Sequence, residues 1–489
     1  MLTFKVATMK KSISIIIVFC LFLTACKKQL TQEPISDLSS DLFWKTAEHA
    51  MLGNAAIYDG IQKTLSGNYT EWGDARSDNF TFGGTGENQI NISLNGLNAT
   101  TGAANWNNLY MTIGRTNSAI KYLPSIKDLG DVSKNHFLAQ AYTARAYLYW
   151  YAVRVWGDVP VRLAPYEDIN EEPNVVRSPA DSVINSIIIP DLQNALALAD
   201  KNATNVWEIS RGAILSMLTE IHLWKKDYAK VISTTDELIA LKKYDLAPAA
   251  TYKEIFITAS TKENIWSLHW NYLVDGGNGI SRLGSSGNTA NYYIDSIPLS
   301  IWQNNKTDIR RAINYDTIRA NSLQEVNQIF KFAPQPDPLK RPVLPGTTQN
   351  EAKLVLYRWA DIILMRAEAI NRANNDKTGA INIVNQVRTR AIAGNVDPLK
   401  YNNFASQADV EKAILDERQL ELFAEGKRWF DLVRTGQVMQ VMDPLIRQRQ
   451  KRLGLTENGF TDPRKILWPI SRAAMVRNLL LVQNPPYSE

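Results

Sequence analysis

The chain has 489 residues, 45% of them hydrophobic, so it can bury a large core, and its 54 Lys and Arg stand against 49 Asp and Glu. Three of the lysines, Lys5, Lys10 and Lys11, precede one apolar stretch, and without them the charge is nearly balanced, which gives no basic footprint for nucleic acid. The two cysteines, Cys20 and Cys26, both fall in the first 26 residues, which excludes a disulfide framework, a cysteine-metal site and thiol catalysis for the rest of the chain.

Lys5, Lys10 and Lys11 lead into the apolar run Ile13 to Leu23, which ends at Leu23-Thr24-Ala25-Cys26. A charged start, a short apolar core and small residues before the cut define an export signal over residues 1–25, starting from Met1 or from Met9. The run is too short to span a bilayer as a helix. Leu-Thr-Ala-Cys also reads as a lipobox, which makes Cys26 the acylated, palmitate-bearing first residue of an exported lipoprotein. Two or three acyl chains on one residue give stable anchoring without a span. Residues 27–40 are polar, carry Pro34 and lack an apolar period, so residues 26–40 are expected to be a lipidated tether.

From residue 41 the spacing changes to that of helices. Apolar residues three and four apart predict helices near 41–63, 106–123, 133–156, 180–199, 210–225, 228–242, 353–373, 378–392 and 409–434, and no comparable series of alternating strands is visible. Two pairs joined by short polar turns, Ile214–Lys225 with Tyr228–Ile239 and Leu356–Ala373 with Gly379–Arg390, have the length and small-residue placement of tetratricopeptide-like units. The expectation is a mostly α single domain over 41–489, with a helical scaffold over about 41–243 and 353–434 and a C-terminal segment over 435–489. Residues 67–105 and the insert of about 244–350 break the pattern. Loops that long in a compact domain are functional or disordered, and the aromatic content here, including Phe80, Phe82 and Trp266, argues against disorder.

Chemistry is sparse. His49, His136, His222 and His269 lie far apart, so no metal site and no cofactor is expected, and His222 reads as packing or capping. Gly84-Thr85-Gly86 and Gly277-Asn278-Gly279 lack the spacing of a dinucleotide loop, and Gly284-Ser285-Ser286-Gly287 is not a nucleophile elbow. Glu417, Glu421 and Glu425 recur every four residues, and Arg428, Asp431 and Arg434 continue that face. Like charges so spaced repel unless partners answer them. An ion network drawing on Arg358, Arg366 or Arg388 is therefore expected, with a glycosidase carboxylate pair as the distant alternative. The remaining candidates for binding are aromatic rings in the irregular segments, whose flat faces suit the C–H face of a sugar.

Several motifs then resemble one family in order along the whole mature chain: Ala144-Arg145-Ala146-Tyr147, Trp156-Gly157-Asp158-Val159-Pro160, Ser210-Arg211-Gly212-Ala213, Asp227-Tyr228 and Glu263-Asn264-Ile265-Trp266. The most specific are Tyr357 through Ala369, Glu417-Arg418, and Glu425 through Arg434. Leu467-Trp468-Pro469-Ile470 and Asn484-Pro485-Pro486-Tyr487 follow. This pattern resembles the SusD/RagB family of outer-membrane nutrient-binding lipoproteins. The resemblance implies a SusD-like tetratricopeptide scaffold with a large loop-rich ligand-binding region. It also implies a non-catalytic role: capture of an oligosaccharide at the cell surface and delivery to a SusC-like TonB-dependent transporter, or of a peptide in the RagB manner. Arg358, Asp361, Glu417, Glu421, Glu425, Arg428, Asp431 and Arg434 would be structural. The ligand would meet Trp72, Trp106, Trp270, Tyr272, Tyr292, Tyr293 and Trp302. Lys27-Lys28 stand where surface-displayed relatives often carry acidic residues.

Overall fold

The structure is a computed structural model that describes residues 43–83, 86–168, 170–276, 278, 280, 283, 291–314, 329–332, 335–336, 342–343, 353–392 and 398–488. The export signal, Cys26 and the tether lie outside the described residues, as do the segment 284–287 and most of the run from Pro334 to Pro345.

Thr46 caps α1 (Ala47–Leu65) by accepting the His49 N–H, and Ile57, Ile61 and Leu65 repeat along its buried face. α2 (Asn107–Tyr122) and α3 (Asp131–Trp156) follow. From Thr143 to Trp156 every residue of α3 is buried, the mark of a helix surrounded on all sides. The predicted helix at 180–199 is composite: Ala180–Val183, a π turn over Ile184–Ile188, then α4 (Ile189–Leu198). Pro190 has no N–H to give to an unbroken ladder, and the π turn immediately before it takes up the mismatch.

α5 (Arg211–Trp224) and α6 (Tyr228–Ala240) form one pair, α7 (Trp359–Asn374) and α8 (Lys377–Ala391) another. Both turns are built alike. Lys226 and Asn375 take positive φ, 59° and 52°, and the aspartate next in line, Asp227 or Asp376, caps the second helix. Each helix from α1 to α8 packs on its successor, α6 against α7 included, although more than a hundred residues separate that pair. The insert is thus an excursion from a continuous helical stack. α9 (Gln407–Glu421), opened by a Ser406/Asp409 capping box, closes the stack on α7 and α8 around Leu364, Ile381, Val384 and Ile414.

Three expectations need correction. Residues 354–358 form a strand, not the start of a helix: β8 (Leu354–Arg358) pairs antiparallel with β4 (Asn264–Leu268), as the two-residue strands β2 (Val159–Pro160) and β6 (Gln335–Pro336) do with β3 (Arg177–Ser178) and β7 (Pro342–Val343). All ten residues are buried, and a strand covered on both faces has no alternation to distinguish it from a buried helix. The helix predicted over 409–434 is two, α9 and α10 (Arg428–Arg434), separated by a turn in which Ala424 and Gly426 have φ of 62° and 68°. Glu425 therefore lies in that turn and not on the helix face of Glu417 and Glu421. The C-terminal segment also carries an unpredicted helix, α11 (Val438–Arg452), despite Pro444 inside it. Among the described residues no helix is long and apolar enough to cross a membrane.

Candidate ligand-binding face

The two irregular segments meet. β1 (Phe80–Phe82) pairs antiparallel with β5 (Tyr292–Ile294) in the register Phe80 to Ile294, Thr81 to Tyr293 and Phe82 to Tyr292. Gly83 N to Asn291 O and Asp295 N to Asn79 O, both 2.9 Å, extend the ribbon. Arg449 of α11, 1% exposed, rivets it from below. Its guanidinium donates to Phe80 O at 2.6 Å, to Ser93 O at 2.7 Å and to the Asp295 carboxylate at 2.8 Å. One side chain thus joins β1, the short helix Glu87–Ser93 and the helix Ser296–Asn304 that Asp295 caps.

Strand alternation sorts the ribbon into two faces. Phe80, Tyr292 and Ile294 turn inward, Phe80 stacking on Tyr292 at 6.0 Å and meeting the Phe423 edge at 5.4 Å. Thr81 and Tyr293 share the other face, where Tyr293 is partly exposed. Arg452, exposed at the end of α11, donates to Thr81 Oγ1 at 3.1 Å and lies 5.7 Å from the half-buried Phe82 ring. Glu87, Asn88 and Gln89 on the neighbouring short helix add a carboxylate and two amides at the rim. A phenol, a guanidinium and amides around an aromatic surface can stack a ring and hydrogen-bond its substituents.

Most of the aromatic residues expected to meet ligand are core. Trp72 and Trp302 are 0% exposed, Tyr292 1%, Trp270 3% and Trp106 7%. Trp72 donates to Ala103 O at 2.8 Å and meets the Trp156 ring at 5.3 Å, Trp106 packs on Trp156 at 5.4 Å, and Trp302 is edge-on to Phe423 at 4.9 Å. Trp72 and Trp302 serve packing, because a fully covered face has none to offer. Tyr272 opens the short helix Tyr272–Asp275, and its side chain lies outside the description. The next two residues, Leu273 and Val274, are 90% and 80% exposed. Of the seven rings, the structure leaves Tyr293 as a partly exposed one. Sequence reasoning missed Arg452 and Arg449, whose contacts with β1 lie some 370 positions away along the chain.

Glu417, Glu421 and Glu425 are sealed. Arg358 reaches Glu263, Glu421 and Glu425; Arg310 reaches Asp308, Glu417 and Glu421; Arg390 joins Glu263 and Glu421; Lys331 joins Glu425; Arg388 joins Glu417. Five cations thus face five carboxylates. Burial would push the Glu421 carboxyl up, but the guanidiniums of Arg390, Arg358 and Arg310 outweigh it and hold the group well below the usual carboxylate range. Arg366 is elsewhere, on Asp236. A second cluster links Arg418 to Asp361 and Asp431, and Arg434 to Asp431 and Glu368, while Arg428 holds Asp78 through two 2.8 Å bonds. Every carboxylate of these clusters is buried.

Two family models match the chain: one described as the SusD family over residues 286–487, and a SusD-like one described as starch-binding associating with outer membrane over residues 39–223. The chain belongs to the SusD-like family. A SusD-like protein of Formosa agariphila, P38, is 28% identical to this SusD-like chain across 98% of it and 100% of the relative. A SusD superfamily crystal structure from Bacteroides thetaiotaomicron superposes with a TM-score of 0.72 at 23% identity, covering 91% of this chain and 99% of that one. A laminarin-binding SusD-like protein superposes with a TM-score of 0.71 at 19% identity, covering 91% and 100%. The mostly helical SusD-like fold and the family's association with the outer membrane stand on these likenesses.

Proposed function

We propose that this protein is a non-catalytic, lipid-anchored SusD-like receptor that captures oligosaccharide outside the cell and passes it to a SusC-like TonB-dependent transporter. The observation that carries the reading is the β1–β5 pairing, which brings the two irregular segments together and leaves Tyr293 beside Thr81 and Arg452 on an accessible face. A glycan binds there by laying a pyranose ring against the phenol, with its hydroxyls on Arg452 and the amides of Asn88 and Gln89. Cys26 holds the protein to the outer membrane, facing outside, and residues 27–40 let it move as a lid, the energy of import coming from the transporter. The laminarin-binding relative supports a glycan ligand, and the sealed ion network speaks against hydrolysis.

Calorimetric titration with laminarin- and starch-derived oligosaccharides, and with a mixed peptide pool, tests this reading. Tyr293→Ala is expected to weaken glycan binding about tenfold, the value of one aromatic stacking contact. Binding of the peptide pool alone would move the assignment to peptide capture, and unchanged glycan affinity in both Tyr293→Ala and Arg452→Ala would remove the ribbon from the site.

A further inference from the structure

Away from the ribbon, an open cleft of about 410 Å³ lies between the loop that leads into α5 and the loop after α6. That volume falls in the range of small-ligand pockets. Trp207 and Tyr244 form its aromatic walls, both partly exposed. Each ring is held. Trp207 meets the His269 ring in a T-shaped contact at 5.2 Å, and Tyr244 stacks on Trp359 at 6.3 Å while its phenol crowds Gly212, where an added Cβ would lie 2.0 Å from the hydroxyl. Ser267 N donates to Val206 O at 2.8 Å and stitches the first loop to β4, and the buried Asn264 ties the second loop by donating to Ile255 O at 3.0 Å and accepting from Thr261 at 2.8 Å. Walls fixed in advance lower the ordering cost of binding.

The charge of the cleft is one-sided. Lys243 and Lys262 line it, together with Asn205 and Ser260, and no aspartate or glutamate does. The Lys243 ammonium donates to Lys201 O at 2.8 Å and Ala203 O at 3.0 Å. Two neutral carbonyls orient it, leaving its charge unanswered and one N–H to give. Among the described residues neither Lys243 nor Lys262 has a carboxylate within salt-bridge distance. The complementary ligand has a flat apolar face, hydroxyls and a negative group. We propose that this cleft is a second binding site, selective for acidic saccharide bearing a carboxylate or a sulfate. It is separate from the ribbon face and does not depend on that reading.

The experiment titrates the full mature chain with trigalacturonate, with a sulfated galactose trisaccharide and with neutral galactotriose at low and high salt. At least one acidic trimer is expected to bind at least about tenfold more tightly than the neutral one and to weaken with salt. Which acidic trimer binds decides between carboxylate and sulfate. Lys262→Glu, at an exposed position that leaves folding intact, and Trp207→Ala are each expected to weaken that binding about tenfold or more. Tyr293→Ala is expected to leave it unchanged. The proposal is overturned if neither acidic trimer binds, if galactotriose binds as tightly, or if Lys262→Glu has no effect. Loss of acidic binding in Tyr293→Ala with none in Lys262→Glu overturns it in favour of the ribbon.

Discussion

Arg358 grips Glu425 side-on, with Nε 2.7 Å from one carboxylate oxygen and a terminal nitrogen 2.8 Å from the other. The arginine closes β8 and the glutamate lies in the turn between α9 and α10, so this pair fixes where the insert re-enters the helical stack. Both are buried, and removing one side of such a pair leaves an unanswered charge in the core. Arg358→Met should cost about 3–5 kcal/mol of unfolding free energy, read by urea titration.

Gly73 and Gly426 touch backbone to backbone. A Cβ at Gly73 would lie 2.3 Å from the Gly426 Cα, and Gly426 has φ of 68°. Backbone cannot yield as a side chain can. Gly73→Ala is expected to lower stability by about 1–3 kcal/mol, and a thermal melt unchanged from the parent would count against the close approach.

Two buried groups give opposite pH dependences. Burial, against hydrogen bonds from Asn79 and Gly426 N, pushes the Asp74 carboxyl up to about 7. The folded chain then holds a proton that the unfolded chain has lost, so this contribution to stability declines as pH rises from about 4 to 7. Burial moves His222 the other way, down to about 4. It is neutral when folded, and its contribution is complete above about 6.5 and lost as pH falls to about 4. In unfolding titrations across pH 4–7, His222→Leu should remove the acid-side loss and Asp74→Asn the decline toward neutrality.

Packing and binding aromatics should separate cleanly. Trp302→Ala removes a 0% exposed ring and is expected to cost about 3–5 kcal/mol, whereas Tyr293→Ala on the accessible face should change stability by less than about 1 kcal/mol while weakening glycan binding. Equal stability losses in the two variants would place Tyr293 in the core.

Anchoring has its own test. Cys26→Ala should release the protein from the membrane fraction, because a tether without acyl chains has no apolar hold. Protease shaving of intact cells is expected to remove the parent protein, and cleavage only after lysis would place it on the inner leaflet.

The sequence determined the helical scaffold because its signals are local. Three- and four-residue spacing marks each long helix, and Asp227 and Asp376 stand where the second helix of each pair begins. It also determined that the acidic row of α9 must be answered by cations, since like charges four apart on a helix repel wherever the helix lies. The partners could not be read locally: Arg310, Lys331 and Arg390 come from the insert and from α8, brought in by folding. Ring exposure was equally illegible, for Tyr292 and Tyr293 are neighbours in sequence and one is core while the other is accessible. That choice rests on the register of β5 against β1, some 210 residues earlier, and on Arg449 holding the ribbon in place. A strand shows its two faces by alternation, but only its partner and the core beneath decide which face is covered.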